Sequence, residues 1–120
     1  MARILVVDYS PTEACLLVDT LSRQGHGVMT ACSGEDGITL ASDEQPDLIL
    51  MDVVMPGKDS FQATREITRS DVTGHIPVII VSAKSQAVDE VWGRRQGVRC
   101  YLTKPVNGRQ RLAAVNGELD

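Results

Sequence analysis

Residues 47–57 read DLILMDVVMPG. Leu48, Ile49, Leu50 and Met51 form an unbroken apolar run, and the run ends in a single acid, Asp52. An alternating pattern would mark a strand with one wet face. A continuous run of this length marks a strand buried on both faces, as in a parallel sheet covered by helices. The same design recurs on either side. RILVV at 3–7 runs into Asp8, and PVIIV at 77–81 runs into Ser82. Two weaker runs, GVMTAC at 27–32 and VRCYL at 98–102, read as the outer strands.

Between the runs lie helical signals. Ser10, Pro11 and Glu13 place a capping serine, a first-turn proline and a capping-box acid in the right order. Behind them Ala14, Leu17, Val18 and Leu21 recur at helical spacing, and Gly25 is a plausible stop. Ser33 opens SGEDGITLAS, with Asp36 three residues on. FQATREITRS at 61–70, SQAVDEVWGRRQ at 85–96 and NGRQRLAAVNGEL at 107–119 are expected as three more helices, the last weakened by Gly108 and Gly117. The order βαβαβαβαβα implies an α/β fold: one parallel sheet with helices on both faces and right-handed crossovers.

Composition fits a single domain over residues 1–120. Hydrophobic residues make up 42% and charged residues 23%, ordinary for a globular chain. A net charge of −4 argues against a nucleic-acid partner. The N-terminal apolar run is too short for a signal peptide, and no stretch suits a membrane span. A cytoplasmic monomer or weak dimer is expected. Cys15, Cys32 and Cys100 are widely spaced, with no metal-binding or disulfide pattern. They are expected as buried free thiols.

In open parallel sheets the binding crevice lies at the carboxyl ends of the strands. Chemistry should therefore sit directly after the apolar runs. Those positions hold Asp8, Asp52, Ser82 with Ala83 and Lys84, and Thr103 with Lys104 and Pro105. Singly, each has an ordinary role as a cap, turn or surface charge. Together, two carboxylates, a hydroxyl and an ammonium converge on one rim. That set suits phosphoryl transfer: a carboxylate as nucleophile, carboxylates holding a divalent metal, and a cation on the phosphoryl oxygens.

At these residues the chain resembles a family. ILVVD, DLILMDVVMPG, PVIIVSAK and YLTKPV, in this order, are similar to the receiver domain of bacterial two-component response regulators, over essentially the whole chain. DYSPTE, FQATRE and VWGRRQGVRCYLTKPV resemble more narrowly the stand-alone members that serve type IV pilus twitching motility. The resemblance implies a flavodoxin-like sheet of order 2-1-3-4-5 with five helices and no output domain. It implies a phospho-accepting signalling domain, not an enzyme with turnover. Asp52 would accept the phosphoryl group from a sensor histidine kinase, Lys104 would bind it, and Ser82 and Tyr101 would switch. Mg2+ would be held by Asp8, Asp52 and the backbone carbonyl of Val54, above a loop shaped by Met55, Pro56 and Gly57. Output to a downstream protein would pass through the fourth helix, fifth strand and fifth helix, with Trp92 and Tyr101 on that face. Arg94 and Arg95 read as solvated charges.

Two residues depart from the family pattern. The family usually has a second acid after the first strand, where this chain has Tyr9. A neutral phenol is a poor ligand for a hard dication, so weaker metal binding is expected. Ser60 stands where the family usually has glycine, which raises the expectation of a strained loop. Tyr9 also keeps an alternative open: a binding module that works without phosphorylation. An aspartyl-phosphate hydrolase is disfavoured, because Val53 and Val54 follow Asp52 where such enzymes place a general acid.

Overall fold

The computed structural model describes residues 2–8, 10–53, 58–82, 100–103 and 115–117. Its elements run β1 (Arg3–Asp8), α1 (Pro11–Arg23), β2 (Gly27–Ala31), α2 (Gly34–Glu44), β3 (Leu48–Val53), α3 (Lys58–Arg69), β4 (Val78–Ser82) and β5 (Cys100–Thr103). All strand pairings are parallel. The sheet places β1 between β2 and β3, with β4 beyond β3 and β5 against β4. The expected fourth helix, at 85–96, lies outside the described residues. Of the expected last helix, 115–117 is helical and the rest lies outside them.

The continuous apolar runs split their side chains between two cores. Leu5, Val7, Ile49, Met51, Val78 and Ile80 face one way and pack with Ala41 of α2 and with Ala63 and Ile67 of α3. Ile4, Val6, Leu48, Leu50, Ile79 and Val81 face the other way, onto Leu17 and Leu21 of α1 and onto Val115. Every one of these strand residues is almost wholly buried. Because successive strand side chains alternate sides, a strand covered on both faces must be apolar at every position. Each large side chain so buried stabilises the fold by roughly 1.5–3 kcal/mol. β2 is less apolar and less buried, as an outer strand should be.

Local signals set the helix ends. Gly25 has φ 88°, and its N–H donates to the Ser22 carbonyl while His26 N–H donates to the Leu21 carbonyl. This is a Schellman stop, which glycine adopts without a Cβ penalty. Ser33 caps α2, its hydroxyl accepting from Asp36 N–H at 3.1 Å. At the other end of α2, Gln45 takes φ 49° without being glycine. Its own side chain compensates, donating toward the carbonyls of Ala41, Ser42 and Val72. Gly37 lets α2 sit close on the sheet: a Cβ there would lie 2.9 Å from Val7 Cγ2. Ser60 falls within helix α3, so the strained positive-φ loop expected there does not arise.

Candidate functional site

The carboxyl ends of the strands form a row. Asp8, the last residue of β1, is opposite Asp52 on β3. On the next pairing Asp52 is opposite Val81 and Val53 is opposite Ser82, the last residue of β4. Ser82 is in turn opposite Thr103, the last residue of β5. Strands in a sheet lie about 4.8 Å apart. Three of the rim residues read from the sequence, Asp8, Asp52 and Ser82, are therefore neighbours across adjacent strands. Tyr101 sits two residues before the end of β5, opposite Ile80. Tyr9, Val54, Met55, Pro56, Gly57, Ala83, Lys84, Trp92, Arg94, Arg95, Lys104 and Pro105 lie outside the described residues.

Asp8 does two jobs. Its side chain is 1% exposed, at the base of the rim. Its Oδ1 accepts the backbone N–H of Ser10 at 2.8 Å, a local turn that starts the chain into α1. The Ser10 carbonyl then accepts from Ala14 N–H, the first turn of that helix. So the ordinary role of an aspartate after a strand and a place on the rim are combined in one side chain. A buried carboxylate is costly unless it is hydrogen-bonded, ion-paired or holding a metal, so this position is a selective one.

Beside the rim runs a groove of about 850 Å3 between α1 and the β2–α2 segment. Asp8, Cys15, Val18, Thr30, Cys32 and Asp36 are among its lining residues. The expectation of buried thiols is wrong for Cys15 and Cys32: both are exposed. Cys15 lies off the Leu17–Leu21 stripe that α1 buries, and Cys32 follows β2, an outer strand with no neighbour on its far side among the described residues. The groove was missed from the sequence. The available signal was spacing: Ala14, Cys15, Val18 and Ser22 fall on one side of a helix, and all line the groove.

A sheet of this order, with one acid ending its first strand and another one residue before the end of its third, defines a class of protein. The chain belongs to the response regulator receiver domain family, whose model matches residues 4–116. It is therefore a phospho-accepting signalling domain of two-component systems, with a histidine kinase as its kind of partner. Among its relatives is Protein PilH of Pseudomonas aeruginosa, 54% identical over 119 residues, covering 99% of this chain and 98% of PilH. Solved structures agree. The chemotaxis protein CheY4 of Vibrio cholerae has a TM-score of 0.89 at 25% identity, covering 99% of each chain. The receiver domain of the sensor histidine kinase PA1611 of Pseudomonas aeruginosa has a TM-score of 0.86 at 25% identity, covering 98% of this chain and 97% of that one. That receiver holds a magnesium ion coordinated in its active-site cleft. Among the described residues, no helix is long and apolar enough to cross a membrane.

Proposed function

We propose that Asp52 accepts a phosphoryl group from the phosphohistidine of a sensor kinase, and that the phosphorylated chain signals to a downstream protein in type IV pilus twitching motility. The observation that carries this reading is the register of the rim: Asp8 opposite Asp52, and Ser82 one pairing away. In the transfer, an Asp52 carboxylate oxygen forms a bond to phosphorus while the P–N bond to the kinase imidazole breaks. Lys104 binds a phosphoryl oxygen as a point charge, and the Ser82 hydroxyl donates to another. Reorganisation of Ser82 and Tyr101 around that group shifts the balance between two packings of the domain.

The donor set suits magnesium. Asp8, Asp52 and the Val54 carbonyl are hard oxygen ligands, the kind this ion prefers. When bound, it neutralises charge on the phosphoryl oxygens. Tyr9 takes away one carboxylate from that set, so the affinity for the ion is lowered. Incubating the protein with acetyl phosphate over a magnesium series, followed by peptide mass mapping, tests the reading. Phosphoryl mass on Asp52 that grows at high magnesium supports it. No modification at any magnesium level overturns it and favours the second reading that Tyr9 motivates, a phosphorylation-independent binding module. That module would bind its partner equally well after Asp52→Ala.

A further inference from the structure

Two of the chain's three cysteines line one groove, come from different elements, and are exposed free thiols. Cys15 belongs to the second turn of α1, and Cys32 directly follows β2. The groove brings both to the open edge of the sheet beside β2. Ala31 packs in the cluster with α2 and α3, whereas Val28 packs against the cluster with α1. Positions 28 and 30 therefore share the α1 side, and Cys32, one residue past the end of the strand, lines the same groove as Thr30. On the helix, Cys15 falls with Ala14, Val18 and Ser22 along the same groove. The Cys32 thiol also donates to Asp36 Oδ2, with sulfur and oxygen 3.9 Å apart.

We propose that Cys15 and Cys32 are a reversible dithiol–disulfide pair that ties α1 to the end of β2. The oxidant class is a low-molecular-weight disulfide. One cysteine thiolate attacks the oxidant's S–S bond and releases one small thiol, leaving a mixed disulfide on the protein. The second cysteine attacks the protein sulfur of that mixed disulfide, forms the Cys15–Cys32 bond and releases the second small thiol. The protein loses two protons and two electrons, and the oxidant gains them. Exposed pairs of this kind form labile disulfides, unlike the structural ones of secreted proteins. The bond would clamp the groove that Asp8 also lines, next to the Asp8–Ser10 turn that starts α1.

The test uses the whole chain with oxidised glutathione, quenched in acid, unfolded and alkylated. The expected product carries one alkyl group, on Cys100, and a peptide linking Cys15 to Cys32. Dithiothreitol should restore three alkylated cysteines. Cys15→Ser should stop at a mixed disulfide on Cys32. Three alkyl groups after oxidation, mixed disulfides that persist on the unsubstituted chain, or links through Cys100 or between chains would each overturn the proposal.

Discussion

Asp8 and Asp52 stand directly opposite each other at the ends of β1 and β3, and Asp8 is at the same time the acceptor for Ser10 N–H. If Asp8 holds the ion as proposed, metal binding and the geometry of the α1 start share one carboxylate. Asp8→Asn keeps an oxygen that can accept from Ser10 while removing the charge. We expect it to weaken magnesium binding by about tenfold or more, which is at least ~1.4 kcal/mol, with little loss of fold stability. Calorimetric titration beside a urea melt separates the two effects. Equal losses in both would mean the carboxylate is structural only.

Tyr9→Asp should act in the opposite direction. Restoring a carboxylate at that position adds a hard ligand and a negative charge, so magnesium affinity and the rate of Asp52 modification should both rise. An unchanged titration would show that position 9 is not where the missing ligand belongs.

Gly37→Ala sets two effects against each other. Alanine gains about 1 kcal/mol of helix propensity. Its Cβ, however, would sit 2.9 Å from Val7 Cγ2, a methyl on a stiff and fully buried side chain. Overpacking typically costs about 1–3 kcal/mol, so net destabilisation is expected. Adding Val7→Ala should make the Gly37→Ala change less harmful or favourable. A double-mutant cycle by chemical denaturation reads that coupling directly.

Gln45 holds a left-handed backbone with a side chain that reaches three carbonyls. Gln45→Ala keeps the strain and loses those bonds, so a loss of about 1–2 kcal/mol is expected. Gln45→Gly also loses the bonds but relieves the strain, and should cost less. Thermal melts of the pair will rank them. If alanine is the milder change, the positive φ is not a source of strain.

Thr73 is buried and its hydroxyl donates to the Ile67 carbonyl at 2.7 Å. Thr73→Val keeps the shape and leaves that carbonyl without the hydroxyl, which should cost about 1–3 kcal/mol. A denaturation midpoint within error of the parent would show that another donor replaces it.

The strands were legible because burial on two faces leaves a mark that needs no partner to recognise. Ile4 to Val7, Leu48 to Met51 and Val78 to Val81 are apolar at every position, and every one is buried. The rim was legible for the same reason: Asp8, Asp52 and Ser82 end those runs, and parallel pairing aligns the ends. Cys15 and Cys32 were misread because their exposure depends on β2 being an outer strand, which follows from strand order and not from local composition. Ser60 was misread by importing a glycine loop onto a position that is helical here. Gly37 and Gln45 carry no sequence signal, since their roles depend on what approaches them in space.

The central place of β1 has a consequence for the chain during synthesis. β1 is made first, yet its two hydrogen-bonded edges are filled by β2 and then by β3, with helices α1 and α2 between. Chains elongate at roughly 5–20 residues per second, so β1 emerges seconds before Asp52 can lie beside Asp8. Such non-local parallel pairings form slowly. Until β3 leaves the ribosome, β1, whose four apolar residues are fully buried in the finished fold, has one open edge. In that interval the open edge of β1 is a template for mispairing.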